Sequence, residues 1–111
     1  MADFLDEMDR CIHEADEAID AWAKAEWDHM QKETVFKALE ATKKQSWIDI
    51  KKFSAARADI EFKADPEWTE AVLKVQRAKL KAEVLKKRMS QAERRYEAER
   101  SRYSAARKAG G

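Results

Sequence analysis

The sequence contains very few residues that form turns. Its 111 residues include two glycines, both at the C-terminal end, and one proline, Pro66. Average proteins carry about 7% glycine and 5% proline. The tight turns of a β-sandwich and the phosphate-binding loops of α/β enzymes depend on these residues. Their scarcity argues against both classes and predicts an all-α protein.

Cysteine and long apolar runs are also scarce. Cys11 is the only cysteine, which excludes an intramolecular disulfide, and its position beside Ile12 predicts a buried thiol that acts as a small hydrophobe. No apolar run is long enough for a membrane span. The N-terminus is acidic with no apolar stretch behind it, so we expect no signal peptide. These features predict a cytoplasmic protein that makes no membrane contact.

Charge, by contrast, is abundant and unevenly distributed. Charged residues make up 41% of the chain, and the net charge is only +1. Residues 1–42 hold twelve acidic and four basic residues, whereas residues 71–111 hold four acidic and thirteen basic ones. The apolar share of 44% is typical of a folded protein. We therefore expect one domain over residues 1–111, with an acidic beginning and a basic end.

The C-terminal part has the clearest helical pattern. Steps of three and four residues from Trp68 to Ala106 meet apolar or aromatic side chains at every position except Glu99. This spacing is typical of a coiled-coil-like seam. Asp65 is expected to cap the helix, with Pro66 at its first position. The pattern predicts a helix over about 66–109, with a seam whose larger residues are Trp68, Val75, Leu85, Met89, Tyr96 and Tyr103.

The N-terminal part shows a similar stripe and predicts a helix over about 3–42. The stripe consists of Leu5, Met8, Ile12, Ala15, Ile19 and Trp22. Its register breaks at Glu26, where we expect the apolar face to change within one helix.

The sequence permits two interpretations of where this first helix ends. Capping-box spacings, such as Ser46 with Asp49, suggest a corner over about 42–46 and a second helix over about 46–63. One unbroken helix over 3–63 is the competing interpretation. The predicted fold is all-α, either an elongated helical hairpin or a three-helix bundle with coiled-coil-like seams.

The basic C-terminal end permits two interpretations. In the first, it lies beside the acidic first helix, either in the same chain or in a second copy, so that the two charges neutralise each other. In the second, it binds a nucleic-acid backbone. The candidate phosphate contacts are Lys86, Lys87, Arg88, Arg94, Arg95, Arg100, Arg102 and Arg107. A third hypothesis is that the acidic N-terminal helix mimics DNA and inhibits a DNA-binding enzyme.

Patterns that would indicate catalysis are weak. Glu26 and His29 have the spacing of one half of a di-iron site, but the sequence offers no second pair. No nucleophile arrangement, glycine-rich loop or zinc spacing is present. We therefore predict that the protein is not an enzyme and has no metal, cofactor or small-molecule substrate.

Two tryptophans are candidates for contact with a partner. Trp27 and Trp47 lie off the cleanest apolar stripes, and tryptophan is enriched at binding hot spots. We expect one of them to anchor a protein contact.

The tail "AERRYEAERSRYSAARKA" resembles the C-termini of small helical proteins encoded in the early regions of tailed phages and prophages. The matching residues are Tyr96, Arg100, Ser101, Ala105, Ala106 and Arg107. The resemblance implies an origin in a phage or prophage and action in the cytoplasm of a bacterial host.

Together, these features predict a small binding protein. We expect an adaptor or inhibitor that acts through protein–protein interaction. It should self-associate as a homo-oligomer, because one chain cannot easily cover both long seams. A nucleic-acid-binding accessory protein is the alternative.

Overall fold

The chain folds into three helices. The computed structural model describes residues 2–110, with side chains described from Leu5 onward. Helix α1 spans Ala2–Ile50, α2 spans Ala55–Ala64 and α3 spans Pro66–Gly110. No strand occurs between residues 2 and 110, so the all-α prediction is confirmed. Over the same residues, no helix combines the length and apolar character needed to cross a membrane.

Helix α1 continues past the register break at Glu26 without interruption. Neither glycine nor proline occurs between residues 2 and 50, and acidic residues repeatedly precede a lysine by four positions. Ion pairs of this orientation each stabilise a helix by about 0.2–0.5 kcal/mol. Three such pairs are Asp20–Lys24 at 2.9 Å, Asp28–Lys32 at 2.8 Å and Glu33–Lys37 at 3.3 Å.

The chain turns at residues 51–54, so the corner predicted over 42–46 is wrong. Residues 42–46 lie inside α1, and the Gln45 side chain donates a hydrogen bond to the Asp49 carboxylate on the same helix at 2.9 Å. The helix ends where Lys52 adopts a left-handed conformation with φ of 60°. The Phe53 N–H donates to the Trp47 carbonyl at 3.2 Å and so closes the helix end.

Short side chains cap the two following helices. The Ser54 hydroxyl accepts a hydrogen bond from the Arg57 N–H at 3.1 Å at the start of α2. The Asp65 carboxylate accepts one from the Glu67 N–H at 2.9 Å at the start of α3, as predicted for an Asp65 cap. Asp65 alone separates α2 from α3.

The chain divides into two compact units. Unit 1 contains residues 1–25 and 82–111, and unit 2 contains residues 26–81. The expectation of one domain over residues 1–111 stays a prediction.

In unit 1, the first half of α1 packs against the second half of α3 through small side chains. The buried residues of this unit are Cys11, Ala15, Ala25, Ala82 and Ala92. Small residues let two helix backbones approach closely. The prediction that Cys11 is buried is confirmed, and burial, followed by the nearby Glu14 carboxylate, raises the pKa of its thiol. The core of unit 1 is therefore a thin layer between two helical segments.

The core of unit 2 is centred on Phe62 of α2. Phe62 is 1% exposed, and its ring lies 6.2 Å from the ring of Phe36 and 6.4 Å from that of Trp47. Ala58, also on α2, is fully buried. A ten-residue helix is too short to be stable alone, so these contacts hold α2 in place.

Candidate interaction surfaces

All eight predicted phosphate contacts of α3 are exposed to solvent. Three of them form ion pairs: Arg95 with Glu14, Arg100 with Glu97 and Arg102 with Glu99. The other five have no ion pair with any residue that the structure describes; these are Lys86, Lys87, Arg88, Arg94 and Arg107. We call the eight residues the basic surface.

The acidic and basic segments of unit 1 are joined by a single ion pair among the described residues. The Arg95 guanidinium lies 3.3 Å from the Glu14 carboxylate, and both side chains are partly exposed. Exposed pairs of this kind contribute about 0–1 kcal/mol. Pairing within one chain therefore leaves most of the charge on both segments unneutralised.

The structure places the six larger seam residues of α3 at half-buried positions. The buried Ala78, Ala82 and Ala92 lie on the same line of positions. The Tyr96 and Tyr103 rings are therefore partly covered by protein, which leaves less ring surface for stacking on bases.

Trp47 belongs to the aromatic cluster of unit 2. It is half-buried, its ring lies 6.5 Å from that of Phe53, and the Lys43 ammonium lies 5.9 Å from its ring centre. These contacts give Trp47 a structural role in the core of unit 2. Trp27, by contrast, is 63% exposed, so the prediction of a partner anchor is retained for Trp27.

Two adjacent lysines connect α1 to the helices that follow. The Lys44 ammonium lies 2.6 Å from Asp59 and 2.8 Å from Glu40, and these hydrogen bonds raise the pKa of Lys44. Its partner Asp59 has a lowered pKa, chiefly because Lys44 donates to it. This contact ties α1 to α2.

Lys43 makes the corresponding contact with the start of α3. Its ammonium lies 2.8 Å from Asp65 and 2.7 Å from Glu67. The hydrogen bond from Lys43, followed by that from the Glu67 N–H, lowers the pKa of Asp65. The two lysines lie inside α1 and join it to α2 and to the start of α3.

The Glu26–His29 pair, one half of a di-iron motif, is an ordinary helix-surface contact. His29 lies 3.8 Å from Glu26 and 3.6 Å from Glu33, all on α1. The described part of the chain contains no group of three or more His, Cys, Asp or Glu residues that could hold a metal ion.

Unit 2 also contains an open apolar cleft of about 330 Å³. Its apolar lining consists of Val35, Phe36, Leu39, Ala71 and Val75. No motif in the sequence pointed to this cleft, because its walls come from two distant stretches of chain.

The predicted N-terminal stripe is divided by the fold. Met8, Ala15 and Trp22 face inward to varying degrees, but Leu5, Ile12 and Ile19 are 54%, 41% and 41% exposed. The predicted stripe is therefore only partly buried. Helix α1 packs on α3 through Cys11, Ala15 and Ala25, which turns Leu5, Ile12 and Ile19 toward solvent.

Comparisons of the chain with protein-family models, with curated proteins and with solved structures gave no match.

Proposed function

We propose that this chain is a non-enzymatic binding protein that self-associates and acts as an adaptor or inhibitor through protein–protein contacts. The observation that carries the proposal is the set of large apolar side chains left exposed on a highly charged chain. These include Leu5, Ile12, Ile19, Trp27, Met30 and Val35. Exposed apolar side chains that are neighbours, as Trp27 and Met30 are on α1, are characteristic of interaction sites.

Trp27 is the anchor for the partner protein in this proposal. It is followed one helical turn later by Met30, which is 54% exposed, so the two side chains lie on adjacent parts of one face of α1. Tryptophan supplies a large contact area at low entropic cost, and methionine adapts to irregular surfaces. The C-terminal tail pattern supports a phage or prophage origin, and the site of action would be the cytoplasm of a bacterial host.

Site-specific photo-crosslinking tests the anchor. A photoreactive amino acid at position 27 should give one discrete adduct in bacterial cells, whereas the same group at Lys37, which is exposed elsewhere on α1, should not. Excess wild-type protein should compete with adduct formation, and a Trp27→Ala variant should compete poorly. Equal adduct yields at the two positions, or equal competition by the two proteins, would refute Trp27 as the anchor.

Sedimentation velocity tests the self-association. The purified protein should sediment as a larger species as its concentration rises. A single monomeric species at all concentrations would refute this part of the proposal.

Nucleic-acid binding is a second candidate function, and the exposure of the whole basic surface favours it. If the protein makes six to ten phosphate contacts, its affinity for DNA should fall about 10³–10⁵-fold when the salt concentration rises from 50 to 200 mM. Fluorescence anisotropy of labelled single- and double-stranded DNA measures this dependence. Arg94→Glu with Arg95→Glu should abolish binding, whereas Lys32→Glu with Lys37→Glu, outside the basic surface, should reduce it only slightly. Absence of binding at low salt would refute this candidate.

A further inference from the structure

We infer that a second copy of this chain docks on unit 1, with an acidic stripe on α1 of one copy packed against a basic stripe on α3 of the other. This inference rests on the self-association proposed above and names the surfaces that make the contact.

The acidic stripe alternates apolar and acidic residues along one face of α1. Its members are Leu5, Asp9, Ile12, Asp16 and Ile19. Their spacing of four and three residues places them on one line along the helix. All five are exposed, and neither aspartate forms an ion pair with any residue that the structure describes. The stripe therefore has the spacing of a coiled-coil seam but no ion-pair partner among the residues that the structure describes.

The basic stripe has the same spacing on α3. Its members are Val84, Lys87, Gln91, Arg94 and Ala98. All five are exposed, and neither Lys87 nor Arg94 has an ion-pair partner among residues 2–110. These positions differ from the seam that packs on α1 in unit 1, where Ala82 and Ala92 are buried.

The charges of the two stripes have matching intervals. Asp9 and Asp16 are seven residues apart, as are Lys87 and Arg94, and seven residues correspond to about 10.5 Å along a helix. Two carboxylates on one copy can therefore face two cations on the other at the same time. The aliphatic stems of Lys87 and Arg94 can cover the apolar residues between the carboxylates. Such complementarity sets both the partner and its register.

One chain cannot make this contact with itself in unit 1. There α1 meets α3 through Cys11, Ala15 and Ala92, and both stripes remain exposed. Contact between the acidic stripes of two copies is also disfavoured, since aspartate would face aspartate. The contact therefore pairs α1 of one copy with α3 of another.

The same observations favour a second copy over a nucleic acid as the occupant of the basic stripe. The α1 segment of unit 1, residues 2–25, holds eight acidic and two basic residues, a net charge of −6. A phosphate backbone on unit 1 would meet this negative charge. It would also leave Leu5, Ile12 and Ile19 in water, whereas a second copy covers them.

Charge reversal on either stripe tests the contact. Asp9→Lys with Asp16→Lys should abolish self-association in sedimentation velocity, and so should Lys87→Asp with Arg94→Asp. An equimolar mixture of the two variants should associate again, because the unchanged α1 of the second variant can face the unchanged α3 of the first. The lysines on α1 of the first can also face the aspartates on α3 of the second. As a matched control, Asp6→Lys with Glu17→Lys changes the charge of α1 equally but lies off the stripe and should leave self-association intact. Far-UV circular dichroism should show that every variant remains helical.

The possible outcomes distinguish failure of this contact from failure of the proposed self-association. If the wild type and both charge-reversal variants associate equally, the stripes are not the contact, although self-association stands. If the wild type is monomeric at all concentrations, both ideas fail. If the wild type is monomeric but binds DNA, and Lys87→Asp with Arg94→Asp abolishes that binding, the basic stripe serves a nucleic acid and the inference is overturned.

Discussion

Replacing Phe62 with alanine tests the core of unit 2. Phe62 is the largest fully buried side chain among the described residues, and its ring contacts those of Phe36 and Trp47. Substitution of a buried phenylalanine by alanine typically costs about 3–5 kcal/mol of unfolding free energy. Each favourable aromatic pair contributes about 0.5–1.5 kcal/mol beyond the area it buries. Since both ring pairs disappear in the variant, we expect a loss near the upper end of that range.

A loss of this size is large compared with the total stability of a small domain, which is about 5–15 kcal/mol. The assay is urea denaturation followed by far-UV circular dichroism, with intrinsic tryptophan fluorescence as a second probe of unfolding. Ile60→Ala is the matched control, because Ile60 lies on the same short helix but is 68% exposed. We expect Ile60→Ala to change the unfolding free energy by less than about 0.5 kcal/mol. A Phe62→Ala variant no less stable than Ile60→Ala would refute the placement of the core.

Three further predictions follow from the contacts described above. Lys52→Gly should raise the unfolding free energy by about 1 kcal/mol, because a left-handed conformation costs a residue other than glycine about 1–2 kcal/mol. Lys52→Ala is the control and should give no gain in stability in the same urea titration. The Lys44–Asp59 contact should contribute its full stability above pH 3.8, and this contribution should be lost as the pH falls through the lowered pKa of Asp59. At the alkaline end, the contribution should be complete below pH 10.5 and should be lost as the pH rises through the raised pKa of Lys44. In thermal unfolding across the pH range, a Lys44→Met variant should lose less stability than the wild type at both acid and alkaline pH. If its stability depends on pH as that of the wild type does, the Lys44–Asp59 contact is not the cause. The Cys11 thiol should react slowly with a thiol reagent in the folded protein and rapidly in urea, because the folded protein buries the thiol and raises its pKa. Equal reaction rates in the two conditions would show that the thiol is not buried.

Features set by neighbouring residues could be predicted from the sequence. The absence of glycine and proline from residues 2–50 permits a continuous α1. The Asp65–Pro66 dipeptide predicted the start of α3, because an N-cap needs only an acceptor side chain and a following turn of helix.

The corner could not be predicted in the same way. Capping-box spacings such as Ser46 with Asp49 arise easily in a chain that is 41% charged, and they pointed to the wrong place. The observed corner depends on a lysine in a conformation usually adopted by glycine, which leaves no signature in the sequence. Its Ser54 cap is followed three residues later by Arg57 instead of the glutamate or glutamine of a capping box.

The choice of packing face on α1 was also hidden from the sequence. Spacings of three and four residues grouped Ala15 with Ile12 and Ile19, whereas in the fold Ala15 and Cys11 are buried and the two isoleucines are exposed. Close approach of two helix backbones requires small residues at matching positions on both helices, so the residue pattern of one helix does not predict it. The opposite charges of α1 and α3 were evident from the sequence, but the sparse pairing between them was not.

The corner at residues 51–54 also determines how the chain can be handled experimentally. Proteases need several residues of extended backbone, and this is the longest segment outside a helix between residues 2 and 110. It begins with Lys51 and Lys52, both exposed, so trypsin should nick the folded protein there first. The two fragments would each carry half of unit 1 and part of unit 2. The same segment is thus the natural position for an inserted tag, or for splitting the protein into two separately expressed halves that report on reassembly.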